Sequence, residues 1–326
     1  MIATRRSVLK LAAFASSAAA LSGAVRAEGG ADAGALPAAS LPFAQTTPMH
    51  VGAAALRVRD MAAMRRYYAD LLGLATIRED QSEVVLGVDG VALLHLIHRP
   101  NAPLEGRRAA GLFHTAFLMP SREDFARWLV HAARNRIQFT GFADHNVSEA
   151  SYLDDPEGNG IEVYSDRPPS SWQWQGDTVT MSTDQLDIES ILKLADVTRD
   201  QYGAAPKNLR IGHVHLRVGE VDQGRAFYEG LVGLNLTRGR NGAAFLSSGR
   251  YHHHLGINTW SSQGAGLRDP QQTGLAWFSL TITDQTLLAD RKARFAASGT
   301  TTEVIGNGIE VADPWGTRVR LVSASA

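Results

Sequence analysis

Residues 250–260 read RYHHHLGINTW, three consecutive histidines followed by an apolar stretch. Imidazole binds metals and moves protons near neutral pH, so this run is the first place to look for chemistry. The chain has 326 residues and no cysteine, which removes disulfides, thiolate ligands and cysteine nucleophiles together. Any metal must therefore be held by histidine, aspartate or glutamate. Further candidates are His114 in LFHTAF, Glu162 in IEVY, and His213 and His215 in GHVHLRV. A glutamate in an otherwise apolar strand is costly without a partner, which singles out Glu162.

The elements that must carry these residues are legible as an internal repeat. GAAALRVRDMAAMRRYYADLLGL (52–74) matches GHVHLRVGEVDQGRAFYEGLVGL (212–234) at a constant offset, so the two halves are copies. Each copy opens on apolar alternation, as a strand does. An amphipathic helix follows, carrying Tyr67 and Tyr68 or Phe227 and Tyr228 and ending at Gly73 or Gly233. Three more strands are predicted in each copy, at 75–79, 83–88 and 91–98, and at 235–239, 243–247 and 251–258. A second strand-helix start lies at 111–135 and at 274–299, with parallel endings DDPEGNGIEVYSD (154–166) and ADPWGTRVRLVSA (312–324). The chain is thus expected to be α+β, built of four βαβββ modules. The expected organisation is a first domain over 48–168, a linker over 169–208 with a short helix at 184–196, and a second domain over 209–326. Trp172 and Trp174 are expected to pack the linker onto a domain.

Four such modules, the FYEGLVGL helix end and the DPEGNGIEVY closing strand resemble the vicinal oxygen chelate superfamily. Within it the chain is most similar to two-domain extradiol catechol dioxygenases, over about residues 48–324. The resemblance implies modules paired into two incomplete barrels, one enclosing a metal. It also implies Fe(II)-dependent cleavage of a small aromatic diol by O₂, with Mn(II) as the alternative metal.

Comparing modules locates the ligands. Seven positions before the acidic residue that opens the helix (Asp60, Glu220, Asp284), modules one, three and four carry Ala53, His213 and Trp277, and module two places His114 there. Four residues after the glycine of the closing turn, module two has Glu162 and module four Arg320. His114, Glu162 and His213 remain, a two-histidine, one-carboxylate set of the kind that holds Fe(II) on one face and leaves positions for substrate and O₂. The family's usual pattern takes all three ligands from the C-terminal half. Here a single site requires modules two and three to share one barrel, leaving one and four to form a metal-free one; otherwise the chain holds two degenerate half-sites.

The stretch DHNVSEASYLDDPEGNGIE (144–162) resembles the extradiol signature through His145, Tyr152, Asp155, Pro156, Gly158 and Glu162, although Ala143 and Ser151 depart from it. Carried over, His145 would hydrogen-bond substrate or bound oxygen, and Tyr152 would orient a substrate oxygen. The triple histidine falls where relatives carry an acid–base histidine. Alignment selects His253, with His254 next, while strand alternation and apolar pattern leave the inward-facing residue open.

The balance of 32 basic and 33 acidic residues implies no broad surface for nucleic acid or anionic membrane. Residues 1–27, with Arg5 and Arg6 before a short Ala-rich run, resemble a twin-arginine signal peptide, and 28–47 reads as a flexible tether. The run is short for a span, which needs about 20 apolar residues. A periplasmic protein without a stable membrane span is expected, a retained anchor helix being the alternative. A homo-oligomer is left open. Two rival functions are a glyoxalase-like metal-dependent lyase or isomerase, which would want a second carboxylate where this chain has YHHHLGIN, and an exported, non-catalytic binder of aromatic ligands.

Overall fold

A computed structural model describes residues 41–196 and 202–324. The leader expected over 1–27, with Arg5 and Arg6, lies outside the described residues.

Module one comprises β1 (Met49–Val58), α1 (Met61–Leu72), β2 (Ala75–Glu79), β3 (Glu83–Val88) and β4 (Val91–His98). Module two comprises β5 (Gly111–Met119), α2 (Arg122–Arg134), β6 (Gly141–Asp144), β7 (Ser148–Asp154) and β8 (Gly160–Asp166). The linker carries β9 (Trp174–Gln175), β10 (Thr178–Val179) and α3 (Ile188–Leu192), a shorter helix than the 184–196 predicted. Module three has β11 (Arg210–Arg217), α4 (Val221–Arg225) continued by a wider turn over Ala226–Leu231, β12 (Asn235–Arg240), β13 (Ala243–Ser247) and β14 (Leu255–Asn258). Module four has β15 (Gly274–Ile282), α5 (Gln285–Ala297), β16 (Thr302–Ile305), β17 (Gly308–Ala312) and β18 (Arg318–Ser323).

The four module helices start for one local reason. Asp60, Ser121, Glu220 and Asp284 each accept a hydrogen bond from a backbone N–H of the first turn, satisfying a donor with no intrahelical partner. Ser121 stands seven residues after His114, so the spacing read from three modules holds in the fourth with a hydroxyl in place of a carboxylate.

The strands form two curled eight-stranded sheets, ordered β16-β17-β18-β15-β1-β4-β3-β2 and β12-β13-β14-β11-β5-β8-β7-β6. Modules one and four make the first; modules two and three make the second. This is the crossed pairing that a single site requires, with antiparallel seams β1–β15 and β5–β11 at the sheet centres. Each half of the chain is therefore divided between the sheets, and matching bonds tie it together. The Tyr68 hydroxyl of α1 donates to Asp155 Oδ2 at 2.9 Å, and the Tyr228 hydroxyl donates to Asp313 Oδ2 at 2.9 Å. Each aspartate uses Oδ1 to accept two backbone N–H groups of its own turn, so the Asp-Pro motif is a structural anchor.

Between the sheets lies a buried charge cluster. Glu105 meets Arg217 at 2.7 Å through one oxygen and Arg268 at 2.6 Å through the other. Its carboxylate packs against Gly111 and Gly274, the first residues of β5 and β15, whose positive φ of 143° and 92° suits glycine and where a Cβ would run into Glu105. Gln45 adds a second tie, Nε2 donating to the carbonyls of Val51 in β1 and Ile211 in β11.

Residues 43–46, within the expected tether, form a short 3₁₀ turn whose Gln45 makes that tie, and part of a predicted strand also fails. Residues 251–254 are not strand: pairing of β13 with β14 stops at Leu246 and Leu255, beyond a turn in which Arg250 has φ 61°. The three histidines therefore sit in a bend, where side chains are freed from strand alternation.

Removing a partner from a buried ion cluster strands the remaining charges. Glu105→Gln is expected to lower unfolding free energy by about 3 kcal/mol, whereas Arg78→Ala, at a pair whose arginine side chain is 56% exposed, should cost less than about 1 kcal/mol. Denaturant titration of both variants checks this, and equal effects would contradict the locking role.

Candidate metal centre

The centre follows from strand register. In the second sheet β11, β5 and β8 are neighbours, and Ala116 of β5 faces His213 on one side and Glu162 on the other. His114 precedes Ala116 by two residues and so shares its face. Ala116, fully buried, presents only a methyl group between the longer side chains, which converge above it. His114 Nε2 lies 3.0 Å from Glu162 Oε2, His213 Nε2 lies 3.1 Å from the same oxygen, and the two Nε2 atoms are 3.3 Å apart. All three side chains are buried. Among the described residues this is the one group of three whose ligand atoms lie within 4.8 Å of one another.

These separations fit a cation. Bonds of about 2.1 Å meeting at right angles set adjacent donors about 3.0 Å apart, the spacing of three ligands on one octahedral face. Burial pushes the His213 imidazole down to about 4, outweighing the attraction of Glu162, and so leaves it neutral as a ligand must be. Burial alone would raise Glu162, but His213 and His114 together hold its carboxyl well below the usual range. Tyr164 holds His213 in place: its hydroxyl lies 3.3 Å from His213 Nδ1 and packs on Gly212, where any Cβ would collide with it.

His145 and Tyr152 stand beside this triad. His145 Nδ1 lies 2.7 Å from the Ser182 carbonyl, an obligate acceptor, so Nδ1 carries a proton. In the neutral ring Nε2 is then an acceptor, and the Tyr152 hydroxyl donates to it at 2.6 Å. Burial and the Glu162 charge push the Tyr152 phenol well above its ordinary value, keeping it protonated.

The bend separates the three consecutive histidines. His254 is a satisfied core residue, with Nδ1 on Ser247 Oγ at 3.0 Å and Nε2 on the Ala44 carbonyl at 3.0 Å. His252 Nε2 donates to Asp166 Oδ1 at 2.8 Å, so in its neutral form Nδ1 is free to accept. It accepts from His253 Nδ1, 2.8 Å away, and this leaves His253 Nε2 as a lone-pair nitrogen. His253 lies over His213, ring centroids 4.1 Å apart, and is the member of the run that lines the cavity. Burial, reinforced by the adjacent histidines, holds its pKa well below the usual value.

The cavity has a volume of about 270 Å³. Besides the candidates, His215 among them, it is walled by Phe113, Met181, Arg240, Phe245 and Trp260, none of which the repeat comparison singled out. His215, the other histidine of GHVHLRV, stands outside the triad. Register sets it opposite His114, and its Nε2 lies 3.0 Å from the Asn258 amide nitrogen. Equivalent positions of the first sheet, Ala53, Trp277 and Arg320, are filled: the Arg320 guanidinium lies 3.8 Å over the Trp277 ring and pairs with Glu310 at 2.7 Å.

Residues 50–163 and 210–321 match the Glyoxalase/Bleomycin resistance protein/Dioxygenase superfamily. The chain is 34% identical over 270 residues to the catechol-2,3-dioxygenase of Bacillus subtilis (strain 168), covering 81% of this chain and 94% of that protein. A solved structure of a candidate dioxygenase from Bacillus subtilis subsp. subtilis str. 168 superposes with TM-score 0.58 at 12% identity, covering 86% of each chain. Glyoxalase I from Zea mays superposes with TM-score 0.52 at 16% identity, covering 86% of this chain and 94% of that one. At these identities both structural likenesses concern the fold.

Ala116→Leu should fill the space over which the ligands converge. The expected result is loss of divalent-metal binding in equilibrium dialysis with an unchanged far-ultraviolet circular dichroism spectrum, at an overpacking cost of about 1–3 kcal/mol. Metal uptake equal to that of the parent protein would contradict the register argument.

Proposed function

The chain belongs to the Glyoxalase/Bleomycin resistance protein/Dioxygenase superfamily, and from this premise we propose that it is an Fe(II)-dependent extradiol dioxygenase that opens the ring of a catechol with O₂. The observation that carries the reading is the convergence in one cavity of a two-histidine, one-carboxylate triad, the Tyr152–His145 pair and His253. The identity with a catechol-2,3-dioxygenase over 81% of the chain supports it. So does the carboxylate count, since Glu162 is the one carboxylate among the residues walling the cavity and a second would favour the glyoxalase-like lyase.

His114, Glu162 and His213 would hold the metal. Bound there, iron would supply coordination positions for the two catechol oxygens and for O₂, and a route for electrons between them. The chain's own residues do the rest. His253 Nε2 would take a proton from an arriving catechol hydroxyl, the resulting imidazolium being stabilised through His252 by Asp166, and would later return that proton to a substrate oxygen. Tyr152, kept protonated and anchored by His145, orients a substrate oxygen. Phe113, Phe245 and Trp260 present apolar surface to the ring and keep water from it. We further propose export of the protein by the twin-arginine route through Arg5 and Arg6. Replacing both with Lys should abolish recovery from the periplasmic fraction, and unchanged recovery would refute export by this route.

The deciding experiment is anaerobic reconstitution with Fe(II) followed by catechols in air, with a yellow ring-opened product expected. Iron bound without colour across a panel of catechols would refute the reading and favour a binding protein. His213→Ala should lose both iron and product. His253→Phe should keep iron and lower kcat by about 100-fold or more; full turnover in that variant would remove His253 from the mechanism.

A further inference from the structure

The cavity wall contains one arginine, Arg240, at the end of edge strand β12. Nη2 donates to the Met181 carbonyl at 2.5 Å and Nη1 to Thr183 Oγ1 at 3.4 Å. Both acceptors are neutral, and together they use two of the five guanidinium donors. No ion pair of Arg240 with a carboxylate occurs among the described residues. The charge that acts on it is a like one, Arg238, two residues earlier on the same strand, whose own Nε is buried without a partner.

Several other half-buried or buried arginines meet carboxylates, Arg217 and Arg268 at Glu105, Arg320 at Glu310 and Arg122 at Glu149, whereas Arg57, outside this cavity, donates like Arg240 to neutral acceptors. A half-buried cation without a counter-charge adds little to folding, because desolvation is not offset by attraction. Its position gives it a different use. Arg240 Cζ lies 6.0 Å from the centroid of Phe245, whose ring is 5.0 Å from that of His253, which lies over His213. The guanidinium thus lines the same cavity as the triad, with the Phe245 and His253 rings between it and His213 along the wall, and is held by two hydrogen bonds with donors to spare.

We infer that the substrate is a catechol bearing a carboxylate on its side chain, and that Arg240 receives this carboxylate while the diol faces the triad. The inference rests on the ring-cleavage reading and narrows it to acidic substrates. A guanidinium–carboxylate contact is charge-assisted and directional, so it selects by charge as well as by register.

The test uses the full chain as wild type, Arg240→Leu and Arg240→Gln; the glutamine keeps a donor for Met181 and Thr183 without the charge. In the iron-loaded protein, kcat/KM for 3,4-dihydroxyphenylacetate is compared with that for unsubstituted catechol. The wild type should prefer the acid, and the acid-to-neutral ratio should fall by about tenfold or more in both variants. A wild type that prefers unsubstituted catechol, or a ratio unmoved in Arg240→Gln, overturns the inference and leaves the ring-cleavage reading intact. If no catechol is cleaved, metal-free protein decides, titrated with phenylacetate and followed by tryptophan fluorescence through Trp260. Saturable binding weakened about tenfold in Arg240→Gln keeps the carboxylate site although the reaction is lost. Absent or equal binding overturns the site as well.

Discussion

The antiparallel register of β5 against β11 is the constraint on which the centre depends. It places His213 beside Ala116, and the parallel register of β5 with β8 places Glu162 on the other side of the same residue. Because side chains alternate across a sheet, a slip of one residue at either seam would send a ligand to the opposite face. The bulge at Gly212 belongs to the same device. It shifts the register between Ile211 and His213, and its missing side chain lets Tyr164 close in on the ligand it supports. A metal held by His114, Glu162 and His213 would thus be positioned by backbone pairing more than by loops.

Such a seam needs both halves of the chain held in crossed pairs, and this explains where the buried polar groups are spent. Tyr68–Asp155 and Tyr228–Asp313 join modules that lie in different sheets, while Glu105 sits between the sheets with an arginine on each oxygen. Each of these groups is costly to bury alone and is paired. In the first sheet Arg320, Trp277 and Glu310 occupy the equivalent place as a stacked and ion-paired plug.

The run His252, His253 and His254 shows how one residue type takes three tasks from its surroundings. His254 is satisfied by a hydroxyl and a carbonyl in the core. His252 is fixed by Asp166 and in turn sets which nitrogen of His253 carries the proton. Glu162, Tyr164 and Asp166 alternate along β8, so one strand face supplies a candidate ligand, the hydroxyl beside His213 and the carboxylate behind the His252–His253 pair.

Much of this was legible in the sequence because the chain repeats itself. Comparing modules at matched positions separates residues serving the fold from residues that differ, and it singled out His114, Glu162 and His213, which the fold brings within 3.3 Å of one another. The crossed pairing of modules followed from requiring that these three share a site. Periodicity could not assign the triple histidine, because residues 251–254 leave the strand and only their separate hydrogen-bond partners distinguish them. Nor could it find Phe113, Arg240, Phe245 and Trp260 in the wall, or Ala116 beneath the triad, since residue type in a strand or turn does not reveal which cavity a side chain faces. Local pattern determined the modules and the candidate triad. Tertiary register alone decided which face each side chain shares, because that depends on pairing between strands about a hundred residues apart in sequence, such as β5 and β11.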